Sequence, residues 1–323
     1  MLARVASELV PSNQEIDLIN VAFENPRVVS AAAATIGQGP VRTDAFESCP
    51  DRITGRNSFR ALQNACPSRH WRFVAVSQGA TSHLDHAHSH IQVDVPYTET
   101  LAQREEIVEL MHPHNTEMDL SIASALYFAA RGEGWSKARS ETEPIFYTST
   151  ARVLLSGLGA DELFGGYGRH SVAFGKGSFE KLIAEMKLDA SRISKRNLGR
   201  DDRVMSHWGR EVRFPYLDEN LFKWAIECPV WEKCDFASPK TEFGIGGDKK
   251  ILRLLAEELG MTGAAREKKR AVSFVSLTPD NHGGANGYSQ FLHAVDTIWS
   301  QNGKDGERED NRYRGDRAVL GTR

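Results

Sequence analysis

A short apolar run, Val153-Leu154-Leu155, empties into Ser156-Gly157-Leu158-Gly159-Ala160-Asp161-Glu162. Small residues in such a turn leave backbone N–H groups able to converge on an anion and let a bulky ligand come close to the main chain. Asp161 and Glu162 then set two carboxylates beside that cradle, the residue type that Mg²⁺–phosphate chemistry uses. The same spacing also describes a tight strand-to-helix turn followed by an acidic first helical turn, and the local pattern leaves both readings open.

A second chemical block runs from Arg200 to Phe222, RDDRVMSHWGREVRFPYLDENLF. Arg203, Arg210 and Arg213 alternate there with Asp201, Asp202, Glu211 and Asp218, a density of paired charge that can hold a zwitterionic or phosphorylated ligand. A solvated network of ion pairs has the same composition and is the commoner case. Asp218, ahead of the run Glu219 to Ile226, is placed to cap a helix.

The elements that would position these groups alternate along the chain. Leu2, Val5, Ala6 and Leu9 have helical spacing that Pro11 ends, and Ile16 to Phe23 read as a buried strand. Residues 25–57 are rich in turn formers and charge. Ser58 is read as the cap of a short helix through Cys66, and Trp71 to Val76 as a second strand. Helical patterns follow near 99–111 and 117–131, then the third strand at 152–156, and the chain reads as helical from Ser178 to about Leu259. Strands separated by helices predict an α/β fold with a parallel sheet and a helical C-terminal half. Such sheets bind ligands at the carboxyl ends of their strands, where the Ser156 turn lies.

Composition narrows the function classes. With 40 Lys and Arg against 43 Asp and Glu the net charge is −3, which gives no general pull toward nucleic acid or anionic lipid. No run of about 18 apolar residues is present, so no membrane span is expected, and the opening MLARVASELVP is no export signal. The four cysteines, Cys49, Cys66, Cys228 and Cys234, are too scattered for a disulfide scaffold and read as reduced thiols of a cytoplasmic protein. The tail from about 272 changes to Asn, Gly, Asp and Arg and is expected to be mostly disordered.

The strings LLSGLGADELFGGYGRH, NLGRDDRVMSHWGREVRFPYLDENLF and KKILRLLAEELG, taken in order, resemble the synthetase domain of glutamine-dependent asparagine synthetases. Within that family they resemble the branch of asparagine synthetase domain-containing proteins. EIDLINVAFENP, PDRITGRNSFRAL and HPHNTEMDLSIASALYFAARG extend the resemblance, which spans residues 1–271. It implies a sheet of the adenine-nucleotide α-hydrolase type and a ligase reaction. ATP and Mg²⁺ would activate the side-chain carboxylate of aspartate as an adenylate, and ammonia would then displace AMP. The ammonia would be free or come from glutamine through a separate glutaminase domain. Carried over by position, Ser156, Gly157 and Gly159 would face the nucleotide, Val21 would lie near the adenine, and Asp161 would be a Mg²⁺ ligand with Glu162 beside it. Arg203, Glu211 and Arg213 would be candidates for holding the substrate.

The resemblance has gaps. The family's pyrophosphate loop, Ser-Gly-Gly-x-Asp-Ser, is absent from these 323 residues, as is the glutaminase with its amino-terminal Cys. In the family's strand order, the strand that carries this loop lies between the two earlier strands and the third, so the sheet is expected to have a gap there. Leu158 stands where the enzymes carry Glu, and Ala271 stands where they carry a Lys, unless Arg266 and Lys268 take those places. Residues 76–92, with His83, His86, His88 and His90, have no counterpart in the family and read as an insertion of the kind an unspliced intron would leave, rather than as a zinc site. On these grounds the chain is either an amide-ligase domain or a catalytically dead relative that keeps the fold for binding.

Overall fold

The computed structural model describes residues 1–23, 50–76, 95–137, 145–237 and 244–267. The tail and, apart from Val76, the insertion, with the His cluster, Lys268 and Ala271, fall outside these residues.

Helix α1, Leu2–Leu9, stops before Pro11, and the chain turns into strand β1, Ile16–Asn20. One arginine holds that turn. The Arg69 guanidinium donates to the carbonyls of Ser7, Val10, Pro11 and Gln14, two of them at 2.6 Å and 3.1 Å from Nη1. Helix α2, Pro50–Ala65, starts eight residues before the Ser58 cap read from sequence. Proline suits the first helical position because its missing N–H would have no partner there, and Asp51 follows it. Strand β2, Trp71–Val76, runs parallel to β1 with Ile16 opposite Trp71.

The inward face of these two strands explains their pattern. Ile16, Leu18 and Trp71 pack with Phe59 and Leu62 of α2, and with Ala256, Met261 and Ala265 from the far end of the described chain. Side chains at i and i+2 share a strand face, so Asp17 lies on the opposite face. There its Oδ2 accepts from Tyr147 Oη at 3.1 Å and Ser149 Oγ at 2.5 Å.

The helical stretch read at 99–111 is two helices, α3 (Tyr97–Ala102) and α4 (Arg104–Met111). Helix α5, Glu117–Arg131, is capped by Thr116, whose side chain accepts from the N–H of Asp119. Two strands that the sequence reading passed over come next, β3 (Glu133–Lys137) and β4 (Ile145–Thr148). They are antiparallel to their neighbours, and the sheet order is β1-β2-β3-β4. The all-parallel expectation is therefore corrected to a mixed sheet. An antiparallel pair closes through a short connection and needs no crossover helix, whereas Glu-Gly-Trp-Ser-Lys gives little strand signal on its own.

Strand β5, Val153–Leu155, pairs parallel with β6, Glu211–Arg213, in a separate two-stranded sheet. No described ladder joins β5 to β1 or β2. Near this junction one side chain gathers neighbouring segments. The Arg210 guanidinium donates to the carbonyls of Arg131, Ser149 and Ala151.

Between and after these strands the chain is mainly helical. Helix α6 is Ala160–Phe164, α7 is Gly168–Ile193 with a break at Gly177 and Ser178, and α8 is Gly199–Ser206. Asp218 caps α9, Glu219–Glu227, accepting from the N–H groups of Asn220 and Leu221. Helices α10 (Val230–Lys233), α11 (Lys250–Glu258) and α12 (Thr262–Arg266) follow. Strand β6 and the non-helical segments between α9 and α11 correct the reading of everything after Ser178 as helix. None of the described helices is long and apolar enough to cross a membrane, and Cys66, Cys228 and Cys234 are free thiols.

Inside α7, His170 is fully buried. Its Nδ1 accepts from the Tyr167 N–H, so Nε2 carries the proton that meets Asp189 Oδ2 at 2.9 Å. Burial opposes the Asp189 charge, but the bonds from His170 and Arg169 outweigh it and hold the carboxyl below its ordinary 3.8. A depressed carboxyl pKa stabilises the fold above the unfolded value, and the gain is lost as pH falls through the folded value. Asp189→Asn should therefore unfold more readily than wild type at neutral pH, with the two denaturation curves converging on acidification. A constant gap between them across that range would contradict the assignment.

Candidate functional site

The Ser156 turn sits at the carboxyl end of β5, as a ligand loop of an α/β sheet should. Much of its donor capacity is spent internally. Ser156 N–H bonds the Arg213 carbonyl at 2.9 Å, Leu158 N–H bonds Ser156 Oγ at 3.3 Å, and Ala160 N–H bonds the Gly157 carbonyl at 3.3 Å. Gly157 is exposed and meets open space, while Gly159 takes the left-handed conformation at φ 99° and is buried against Tyr216 and Leu217. The turn thus has the shape of a cradle, with three of its N–H groups already bonded.

Asp161 opens α6, and the ammonium of Lys249 lies 2.9 Å from its Oδ1. Lys249 opens the run KKILRLLAEELG, whose pattern alone gives it no chemical role. Its signal was Gly246-Gly247-Asp248, a turn that delivers the lysine just ahead of an amphipathic helix. The backbone of Lys249 is left-handed at φ 51°, uncommon for a residue with a side chain, and its N–H bonds the Phe164 carbonyl at 3.1 Å. The lysine therefore approaches α6 from both main chain and side chain. Tyr216 lies close by, its hydroxyl pushed up to about 12 by burial and by the Asp161 charge.

Glu162 is buried, 3% exposed. It accepts from Tyr167 Oη at 2.6 Å and from Asn197 Nδ2 at 2.8 Å. Burial, and then the Glu162 charge, raise the Tyr167 hydroxyl well above its ordinary value, so it stays a donor. The bonds tie α6 to α7 and to the turn before α8. Asn197 and Tyr167 were not singled out from sequence, since neither belongs to a charge pattern.

Other candidates are placed as follows. Glu211 and Arg213 pair at 2.7 Å on β6, both largely exposed, and their strand is hydrogen-bonded to Ser156. Arg203 points elsewhere, donating to the carbonyls of Leu110 at 2.9 Å and of His112. Val21 follows β1 in the other sheet, and no described hydrogen bond or ion pair joins it to the Ser156 turn. Behind the turn, Arg200 of α8 is buried between Asp201 and Asp119. Burial raises the Asp201 carboxyl, and the nearby Arg200 counters that shift only in part.

A magnesium ion takes six oxygens, usually one or two carboxylates with waters and phosphates. Among the described residues no group of three or more His, Cys, Asp or Glu side chains is placed to hold a metal. The half-buried carboxylate of the turn, Asp161, already has a cation at contact distance. With the Lys249 ammonium against its Oδ1, Asp161 does not fit the role of a divalent-ion ligand in this arrangement.

A family model for asparagine synthase matches residues 177–283, a stretch that begins after the Ser156–Glu162 turn. The chain is similar to asparagine synthetase domain-containing protein 1 of Bos taurus, with 39% identity over 300 residues, covering 85% of this chain and 43% of that protein. For the Homo sapiens protein of that name, identity is 38% over 303 residues with the same coverage. A putative glutamine-hydrolysing asparagine synthetase of Methanocaldococcus jannaschii is 43% identical over 79 residues, 24% of this chain and 15% of that one. The chain spans less than half the length of these relatives.

Proposed function

The chain belongs to the asparagine synthetase domain family, and from that premise we propose that residues 1–323 keep a synthetase-type binding surface around Ser156–Glu162 without carrying amide formation by themselves. The observation that carries this reading is the Asp161–Lys249 contact at 2.9 Å. The carboxylate that would serve the nucleotide's metal is neutralised from within, and three N–H groups of the turn are bonded internally. On this reading β1, β2 and β5 belong to a sheet of the adenine-nucleotide α-hydrolase type, with no described strand between β1 and β5.

Expelling pyrophosphate needs preorganised donors where charge develops, and the loss of one such donor commonly costs ~2.7–4 kcal/mol of barrier. Here the whole Ser-Gly-Gly-x-Asp-Ser segment is missing from the 323 residues. The second reading is a working ligase half-site, with ATP, Mg²⁺, aspartate and ammonia as its ligands. It is favoured by the 38–39% identity to the two domain-containing proteins over 85% of the chain.

Purified 1–323 supplied with ATP, Mg²⁺, aspartate and ammonium should release no aspartate-dependent AMP or pyrophosphate. Release that is lost in Asp161→Ala would establish the ligase reading instead.

A further inference from the structure

We propose that the Lys249 ammonium is the resident counter-cation of Asp161, so that the carboxylate turn of this chain works without a divalent ion. The inference deepens the functional reading above and rests on its choice of the Ser156–Glu162 surface.

Three features of the geometry argue for it. The ammonium lies 2.9 Å from Asp161 Oδ1, an ion-pair distance, though its orientation is not that of a hydrogen bond. The side chains are 23% and 28% exposed, so the pair is partly withdrawn from solvent and less screened than a surface contact. On its other flank the carboxylate is closed by backbone, for a Cβ built on Gly166 would fall 1.9 Å from Oδ1 and 2.9 Å from the Asp161 Cα. A hydrated ion needs room for waters beside the carboxylate. Here the main chain lies against one side of Oδ1 and an ammonium against another.

The lysine is also held in place. Its left-handed backbone, φ 51°, is a conformation that non-glycine residues adopt at a cost. The N–H bond to the Phe164 carbonyl and the start of α11 immediately after it keep Lys249 there. A surface ion pair would need no such anchoring. The neighbouring Lys250 differs, since its ammonium bonds the Trp231 carbonyl at 3.2 Å and leaves the turn alone.

The test uses Mn²⁺ alone, followed by paramagnetic broadening of residues around the turn, with no nucleotide or substrate. Wild type should show no saturable Mn²⁺ site at Asp161. Lys249→Met, which keeps the length of the stem and removes the charge, should gain one with affinity at least tenfold higher than any wild-type response. The double variant Lys249→Met/Asp161→Asn should lose it again, and Lys250→Met should behave as wild type. Circular dichroism, and Lys249→Gln as a second neutral variant, exclude misfolding as the cause. Wild type binding Mn²⁺ at Asp161 as tightly as Lys249→Met would overturn the proposal, and so would a Lys249→Met protein that gains no site. Aspartate-dependent turnover by wild type would refute the silent-domain reading alone, because the Mn²⁺ titration contains no substrate.

Discussion

Arg200→Met should lose about 3–5 kcal/mol of stability, read as a shift in the denaturation midpoint. Arg200 is 2% exposed and Asp201 5%. The guanidinium donates from Nε to Asp201 Oδ1 at 2.8 Å and reaches Asp119 in the first turn of α5. Removing it strands Asp201 in a site whose burial already favours the neutral acid, with Glu162 adding like charge. A raised carboxyl pKa gives stability that is present below the unfolded value and lost as pH rises. The variant's deficit should therefore be largest at neutral pH and shrink in acid. Adding Asp201→Leu should recover at least half of it, since it removes the unpaired buried charge and leaves only Asp119, which is 20% exposed, without its arginine. A loss below about 1 kcal/mol for Arg200→Met would place the pair among ordinary surface contacts.

Gly166→Ala should be the next most damaging change, at about 2–3 kcal/mol, the upper part of the range for overfilling a packed site. The new methyl would meet Asp161 at both its carboxylate and its Cα. The carboxylate can swing aside, but the Cα cannot, so α6 has to move with it. In the double variant Gly166→Ala/Asp161→Ala the carboxylate's share of the clash disappears, while Asp161→Ala alone removes only a partly exposed ion pair. The double variant should therefore be more stable than Gly166→Ala. Equal stabilities would mean that the backbone contact accounts for the whole effect.

Much of the scaffold was legible because local signals were strong. Pro11 ends α1, Asp218 caps α9 by its own side chain, and Trp71–Val76 forms a strand as its apolar run predicts. Less legible were elements defined by partners distant in sequence. Glu133–Lys137 becomes a strand because β2 and β4 flank it, and Glu211–Arg213 because β5 does. The site divides in the same way. Asp161 and Glu162 stood out by type and position, but neither spacing nor charge could foretell that Lys249, 88 positions away, would face Asp161. The Arg-rich block gave a composition and not a destination, for Arg203 and Arg210 go to main-chain carbonyls and Arg200 to the carboxylates of Asp119 and buried Asp201.

The clip made by Arg210 has a mechanical meaning. In a continuous sheet, a displacement of one strand is passed to the next through a ladder of bonds that must shift register together. Here the Arg210 guanidinium, near Asp17, gathers the end of α5 at Arg131 and the short β4–β5 connection at Ser149 and Ala151. Such a joint pins three carbonyls at one point rather than along a ladder, so a single substitution at Arg210 would release all three bonds at once.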